Sequence, residues 1–213
     1  MDVWMRSAHE MVDTQLISRG IGRKAVLEAM RAVPRHLFVP DEYRSMAYSD
    51  CALPIGNGQT ISQPYIVAKM TELLDPEHGD QVLEIGTGSG YQAAVLAEMG
   101  VHVISIERIS PLAQRASSLL GELGYPVTVL LMDGRYGYKD NAPYTGIIVT
   151  AAAEKIEEAW FDQLAQGGKL VVPLRVGTGM ERLLSREKKD GKIRDLWFDY
   201  CHFVPVLPGT EEG

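Results

Sequence analysis

A glycine-rich segment near the middle of the chain places the strongest constraint on its fold. Residues 81–85 are mostly apolar, and a helical pattern begins at Tyr91 and runs to Met99. Between them lies a loop with glycine at every second position: Gly86, Gly88 and Gly90. Glycine lacks a Cβ atom, so such a loop turns tightly and its backbone can approach a ligand. The order of strand, glycine loop and helix predicts an α/β fold in which a nucleotide lies across the carboxyl end of the strand.

Acidic residues around this loop indicate which nucleotide it binds. Dinucleotide-binding loops follow the pattern G-x-G-x-x-G, whereas here the glycines alternate and Glu84 precedes them. A carboxylate at Glu84 would repel a pyrophosphate but can hold an ammonium, directly or through water. The next predicted strand, 101–106, is followed by Glu107, which can accept hydrogen bonds from both ribose hydroxyls. The pattern favours S-adenosylmethionine, whose methionine part carries an ammonium, and leaves NAD as the alternative.

The N-terminal part of the chain predicts helices. Amphipathic patterns predict one helix over 7–19 and a second over 24–33, and the segment 35–40 is expected to be extended. His36 has apolar neighbours, so it is predicted to be packed and hydrogen-bonded rather than catalytic.

A long polar loop, 53–64, leads into an apolar helix that is expected to begin near Pro64. Ser62 is the predicted N-cap of this helix, and a proline in the first turn costs no hydrogen bond. The free N–H groups and the dipole at such a helix tip attract anions. Ser62 would add one more donor, so it is the candidate group for an anionic substrate, whether or not it also caps the helix.

Two further strand ends complete the predicted site. A third strand, 125–132, is followed by Asp133-Gly134, where the acid can reach an adenine amino group or simply form a turn. A fourth strand, within 144–150, should lie beside the first and leads into three alanines, 151–153. The Asn- or Asp-Pro-Pro-aromatic motif of methylases that act on nitrogen is missing there. Small neutral residues predict an acceptor that is already nucleophilic, such as a carboxylate with a pKa of about 4.

The rest of the chain predicts a helix, more strands and a tail. A helix is expected over 156–165, a fifth strand over 169–174, and a hairpin turn at Asp190-Gly191. Residues 200–207 are predicted to be the last core segment, and the tail from Pro208 onward is expected to be loose.

Composition bounds the class of protein. A chain of 213 residues with 46% hydrophobic residues can bury one sizeable core. A net charge of −7 argues against broad nucleic-acid binding. We see neither an apolar run of membrane-spanning length nor a secretory signal peptide. Cys51 and Cys201 fit neither a metal nor a disulfide pattern. We therefore expect a cytoplasmic protein without metal, membrane or nucleic-acid partners.

Four segments resemble one known family. The most specific is 56–64, GNGQTISQP, which general methyltransferases lack, and the others are 82–91, 105–108 and 147–153. Together they make nearly the whole chain similar to the protein-L-isoaspartate (D-aspartate) O-methyltransferases. The resemblance implies methyl transfer from S-adenosylmethionine to the free α-carboxylate of L-isoaspartyl and, more weakly, D-aspartyl residues in damaged proteins. The products would be a methyl ester and S-adenosylhomocysteine.

The resemblance also implies the architecture. It predicts a Rossmann-like, mostly parallel sheet of seven strands, with helices on both faces and the last strands in a swapped order, usually in a monomer. We expect a single methyltransferase domain in which 1–60 form the N-terminal helical extension and substrate loop, 61–175 the cofactor-binding core, 176–207 the C-terminal strands, and 208–213 the tail. The alternatives are a methyltransferase for another small-molecule carboxylate or for nucleic acid, an NAD-dependent oxidoreductase, and a cofactor-binding protein without catalysis.

Matching residues carry the family's roles to this chain. Ser62 corresponds to the active-site serine, and the backbone of Thr60, Ile61 and Val204 to the groove that holds the substrate main chain. The cofactor-binding residues implied in this way are Glu84, Gly86, Thr87, Gly88, Gly90, Glu107, Arg108, Asp133 and Gly134. Four residues depart from the usual pattern, namely Met132, Arg135, Glu154 and His202, the last standing where arginine is frequent.

Overall fold

A seven-stranded sheet flanked by helices forms the centre of the computed structural model, which describes residues 2–212. The α-helices are α1 (Val3–Met11), α2 (Lys24–Ala32), α3 (Pro64–Leu74), α4 (Tyr91–Glu98), α5 (Ser110–Glu122) and α6 (Glu158–Asp162). The strands are β1 (Leu53–Gly56), β2 (Gln59–Ile61), β3 (Gln81–Ile85), β4 (His102–Glu107), β5 (Val127–Leu131), β6 (Tyr144–Val149), β7 (Leu164–Gly177), β8 (Met180–Lys189) and β9 (Lys192–Cys201). Strands β1 and β2 form a separate small sheet, and the other seven form the main one.

The main sheet has the strand order β5-β4-β3-β6-β7-β8-β9. Strands β5 to β7 in this order run parallel, whereas β8 and β9 are added antiparallel at one edge. The predicted seven-stranded, mostly parallel sheet is confirmed, and β6 lies beside β3 as expected. Strands β4 and β5 lie on one side of β3, and β6 and β7 lie on the other. The strand order therefore reverses at β3, and a crevice opens at its carboxyl end.

Apolar side chains on both faces of the main sheet are buried against helices. Val82 of β3 belongs to a cluster that includes residues of α2, α3 and α4, whereas Leu83 and Ile85 pack in a second cluster with Trp160 of α6. Alternate residues of a strand face opposite sides of its sheet. Glu84 therefore shares the face of Val82, and tight packing on both sides holds the end of β3 in place.

The N-terminal helices differ in part from the prediction. The first helix, α1, ends at Met11, and the chain continues through a π-helical turn (Val12–Leu16) and a 3-10 turn (Ile17–Arg19). The segment after α2 is a 3-10 helix, Arg35–Phe38, so the extended conformation expected there was wrong. Tertiary packing explains the difference, because the rings of Phe38 and Tyr91 pack edge to face with their centroids 5.5 Å apart.

His36 is packed and hydrogen-bonded, as predicted. Its Nδ1 atom lies 2.9 Å from the hydroxyl of Tyr48, and its ring centroid lies 5.5 Å from that of Trp4. Partial burial and the nearby charge of Arg44 lower the pKa of His36.

Residues 53–64 contain a β-hairpin rather than an irregular loop. Strands β1 and β2 pair antiparallel across Asn57 and Gly58, whose φ angles are 52° and 69°. Positive φ at both central residues is typical of a type I′ turn, for which Asn-Gly is the favoured pair. The side chain of Arg115 holds the hairpin by donating to the carbonyl of Ile55 at 2.8 Å.

The C-terminal third confirms one prediction and corrects two. The hairpin at Asp190-Gly191 is present between β8 and β9, with φ angles of 52° and 68°. Helix α6 spans only Glu158–Asp162, because Leu164 already pairs with Tyr144 in the main sheet. Residues 200–207 lie at the margin of the core and not within it: Tyr200 is 64% exposed, whereas Cys201, Phe203 and Val206 are half-buried and pack against the core. Among the described residues, no helix combines the length and apolar character that crossing a bilayer requires.

Candidate active site

A cleft of about 970 Å³ opens at the carboxyl ends of β3, β4 and β6. It brings together most of the residues singled out from the sequence: Thr60, Ile61, Ser62, Glu84, Gly86, Thr87, Gly88, Glu107, Arg108, Gly134 and Val204. Two others, Gly90 and Asp133, are not among the residues that line the cleft. The predicted substrate residues and most of the predicted cofactor residues thus share one cavity.

Two positions of the glycine loop require glycine, both because their φ angles are positive and because a Cβ atom would clash with neighbouring side chains. Gly86 has a φ of 99°, and a Cβ atom there would lie 2.6 Å from the hydroxyl oxygen of Thr150. That hydroxyl donates to the carbonyl oxygens at the end of β3. Gly90, with a φ of 88°, directly precedes α4, and a Cβ atom there would meet Leu120 at 3.2 Å. Gly90 therefore allows the close packing of α5 against this loop.

Glu84 is a fully buried carboxyl group without a cationic partner among residues 2–212. Its Oε2 accepts a hydrogen bond from Ser105 at 2.5 Å, whereas its Oε1 has no partner in the described part of the chain. Burial raises the pKa of Glu84 to about 8, the hydrogen bond from Ser105 opposes the rise, and the charge of Glu107 adds to it. A buried acceptor without a partner is costly. An ammonium placed at Oε1 would satisfy this oxygen and favour the ionised carboxylate.

Glu107 is held rigidly at the end of β4. Its Oε2 accepts the N–H of Gly88 at 2.8 Å, and its Oε1 accepts the N–H groups of Arg108 at 2.8 Å and Ile109 at 2.9 Å. A carboxylate has about four acceptor positions, so these three bonds orient the group and leave capacity for a ligand hydroxyl. The bond to Gly88 also links the acid directly to the glycine loop.

Ser62 lines the cleft, but it does not cap α3. Gln63 is the N-cap residue and makes no side-chain capping bond, and Pro64 occupies the first helical turn as predicted. The carboxylate of Asp50 lies at the helix tip, where it accepts the N–H of Tyr65 at 3.4 Å and pairs with Arg19 at 2.6 Å. The predictions of a Ser62 cap and of an open anion site at this tip were therefore wrong. The carboxylate of Asp50 already occupies the tip, and its position there could not be predicted from the spacing of residues in the sequence.

Comparison with known proteins identifies the family. The family model described as protein-L-isoaspartate(D-aspartate) O-methyltransferase matches residues 6–211. This chain belongs to that family. The protein-L-isoaspartate O-methyltransferase of Methanospirillum hungatei is 55% identical over 97% of this chain and 96% of its own length. That of Syntrophobacter fumaroxidans is 51% identical over 88% of each chain.

Solved structures carry the same fold. A protein-L-isoaspartate O-methyltransferase that is 27% identical superposes with a TM-score of 0.86, covering 96% of this chain and 66% of the other. A putative member of the family from Plasmodium falciparum, solved with S-adenosyl-L-homocysteine, superposes with a TM-score of 0.81 at 22% identity, covering 94% of this chain and 98% of the other.

In this member of the family, Asp133 and Arg108 hold the C-terminal segment. The carboxylate of Asp133 accepts the N–H of Gly209 at 2.7 Å and binds the side chain of Arg135. Burial acts to raise the pKa of Asp133, but these hydrogen bonds outweigh it and lower the pKa to about 2. The guanidinium of Arg108 donates to the carbonyl of Gly209 at 3.1 Å and pairs with Glu211 at 2.8 Å. The tail expected to be loose is therefore fixed, with Arg135, one of the departures, taking part.

The C-terminal segment also forms a wall of the cleft. The backbone of Ala152 donates to the carbonyl of Val204 at 2.7 Å and accepts the N–H of Val206 at 2.8 Å. Val204, Val206 and Leu207 all line the cleft. Only Val204 was predicted from the sequence to lie at the site. Nothing in the sequence of β9 indicates that the chain then runs back over the sheet to Ala152, which follows β6.

Two of the three remaining departures from the family pattern, Glu154 and His202, lie around one buried carboxylate. Glu181 is 1% exposed, with Arg175 at 3.7 Å and the Nδ1 of His202 at 3.4 Å. Arg175 also binds Glu154. Glu154 and His202 therefore belong to one cluster of polar and charged side chains around Glu181 of β8. Met132 packs partly buried against the second core cluster and donates its backbone N–H to the carbonyl of Glu107 at 2.9 Å.

Proposed function

We propose that this protein transfers the methyl group of S-adenosylmethionine to the free α-carboxylate of L-isoaspartyl residues, and more weakly of D-aspartyl residues, in damaged proteins. The products are a methyl ester and S-adenosylhomocysteine. One observation carries the proposal: a buried Glu84 with a free acceptor oxygen shares a cleft with Ser62 and the hairpin backbone. Membership of the family and the names of its close relatives support the same activity.

The residues at the cleft fit the proposed cofactor. Glu84 would hold the ammonium of the methionine part, and Glu107 the ribose hydroxyls. Gly86 and Gly88 keep side chains out of the space between these acids, and Gly134 lies where the adenine side is expected. When bound, the cofactor supplies a methyl group on a positively charged sulfur.

The substrate carboxylate needs no general base. With a pKa of about 4, it is ionised at neutral pH. We propose that the hydroxyl of Ser62 donates a hydrogen bond that holds and aims this carboxylate, and that Ser62 forms no covalent bond. The backbone of Thr60, Ile61 and Val204 would bind the substrate main chain, which suits tolerance of many flanking sequences. Catalysis then rests mainly on positioning the two reacting groups.

The remaining expectations are part of the proposal. We propose a single domain with the boundaries given above, acting as a monomer in the cytoplasm, without metal, membrane or nucleic-acid partners. The net charge of −7 supports the last point, because binding to nucleic acid requires a basic face.

A pair of peptides tests the activity. One contains an isoaspartyl residue, the other an aspartyl residue at the same position, and both are incubated with the protein and methyl-labelled S-adenosylmethionine. We expect base-labile methyl ester on the isoaspartyl peptide alone. Methylation of a small carboxylic acid but of neither peptide would favour the first alternative. Binding of the cofactor with no turnover of any acceptor would favour the non-catalytic one.

A further inference from the structure

The guanidinium of Arg35 is buried directly behind the proposed substrate loop. The residue is 0% exposed, and its Nη2 donates to the carbonyl oxygen of Ser62 at 2.7 Å. Its Nε donates to the carbonyl of Ala47 at 2.7 Å, and its guanidinium carbon lies 4.7 Å from the centre of the Tyr91 ring. Arg35 thus joins the N-terminal extension, the Ser62 segment and the first turn of α4.

Nothing acidic neutralises this charge. Within residues 2–212, Arg35 forms no ion pair, and its Nη1 is buried without a hydrogen-bond partner. Taking a cation out of water without an anionic partner is expensive, and two carbonyl contacts recover only part of that cost. A neutral side chain at this position would avoid the penalty, so packing alone does not account for an arginine here.

Apart from the charge on the bound cofactor, the lining of the cleft within residues 2–212 offers the proposed substrate carboxylate no unpaired positive charge. The charged residues that line it are Glu84, Glu107 and Arg108, and Arg108 is paired with Glu211. The tip of α3, which would otherwise attract a carboxylate, already binds Asp50. Among the described residues that line the cleft, none therefore offers an unpaired cation to a carboxylate at Ser62.

We propose that Arg35 is a positioning residue with two effects: it fixes the carbonyl, and hence the hydroxyl, of Ser62, and its unneutralised charge favours a carboxylate over a neutral group at that hydroxyl. The inference rests on the proposed function. It assigns the preference for an ionised acceptor to a residue of the N-terminal extension that does not itself line the cleft.

Two peptides separate this role from a purely structural one. One is an isoaspartyl peptide with its free α-carboxylate, and the other has the same sequence with a carboxamide in place of that carboxylate; the binding of both is measured by calorimetry with S-adenosylhomocysteine bound, so that no methyl group is transferred. A carboxamide can still accept a hydrogen bond from Ser62, but it carries no charge. We expect the wild-type protein to bind the carboxylate peptide at least tenfold more tightly. In Arg35→Met, the two peptides should bind equally, and KM for the substrate should rise more than kcat falls.

Control variants keep the test decisive. Arg115→Met removes an arginine that donates to the carbonyl of Ile55 in the hairpin of β1 and β2. It should leave the ratio of the two peptide affinities unchanged. Arg35→Lys keeps the charge and should restore most of the ratio. Binding of S-adenosylhomocysteine, measured by calorimetry, reports whether each variant is folded. If Arg35→Met does not bind it, Arg35→Gln takes its place in the comparison.

The outcomes are distinguishable. The role of the charge would be overturned if Arg35→Met, or Arg35→Gln as its substitute, still bound the carboxylate peptide more tightly than the carboxamide peptide by the wild-type ratio. It would also be overturned if the variant bound both peptides more weakly by the same factor. A wild-type protein that methylates no isoaspartyl peptide would instead overturn the proposed function, before any variant is compared.

Discussion

Binding of the cofactor product should release a proton from Glu84. In the free protein this carboxyl is fully buried, and desolvation raises its pKa to about 8. At pH 7 such a group is protonated in about nine molecules of ten. The ammonium of S-adenosylhomocysteine placed at Oε1 favours the ionised form. Complex formation at pH 7 should therefore release about 0.9 proton per site, and the released fraction should fall to about one half at pH 8.

The sign of the pH effect on affinity follows from the same linkage. The ligand binds the ionised form, and the free protein holds the proton below its pKa, so affinity rises with pH. For a free-state pKa of about 8, the affinity should be about ninefold higher at pH 7 than at pH 6. The effect should vanish in Glu84→Gln, whose neutral side chain has no proton to lose. This variant should also bind the ligand more weakly.

Calorimetry in two buffers measures the proton directly. Titrations at pH 7 in buffers of different ionisation enthalpy give the number of protons released from the dependence of the observed enthalpy on the buffer. Methylthioadenosine is the matched ligand control, because it has the nucleoside and the thioether but lacks the amino acid part, and it should release no proton. Equal enthalpies in both buffers for S-adenosylhomocysteine would refute the argument. So would undiminished release in Glu84→Gln.

Three further predictions concern other parts of the cleft. Ser62→Ala should lower kcat/KM on an isoaspartyl peptide at least about tenfold, or about 1.4 kcal/mol, with unchanged binding of S-adenosylhomocysteine; full activity would leave Ser62 without a role. Gly86→Ala should lower both the melting temperature and cofactor affinity, because the added Cβ meets Thr150 and φ stays positive; normal values in a thermal melt would contradict this. Glu211→Gln removes the ion pair between the C-terminal segment and Arg108 and should speed dissociation of S-adenosylhomocysteine in stopped-flow measurements, whereas the same change at exposed Glu212 should not.

Local signals made the centre of this fold predictable. The strand, the alternating glycines and the following helix are adjacent in sequence, and Glu84 and Glu107 each belong to the end of a strand. The hairpin at Asp190-Gly191 was predicted from its turn residues. The one at Asn57-Gly58 carries the same kind of signal and was overlooked, because a proline-rich and glycine-rich segment suggested a loop.

The errors share a different cause, which is contact between distant parts of the chain. Asp50 lies at the tip of α3 because the N-terminal extension packs there, and the residues next to Ser62 in sequence give no sign of this contact. Arg108 and Asp133 were predicted to bind the cofactor, which stays a prediction, but their contacts with Gly209 were not foreseen. In each case a charged side chain binds a residue that is distant in sequence, and the spacing of residues does not predict such a contact.

The wall of the cleft formed by residues 204–206 is fastened to the main sheet through Ala152, which makes one backbone hydrogen bond at each end of it. The groups that we propose to bind the cofactor, chiefly Glu84, Gly86, Gly88 and Glu107, belong instead to β3, β4 and the loops that follow them. Under the proposed function, breadth of substrate acceptance and affinity for the methyl donor would therefore depend on separate segments of the chain. Protein engineers could widen or narrow the peptide channel by redesigning residues near Val204 while leaving the glycine loop untouched.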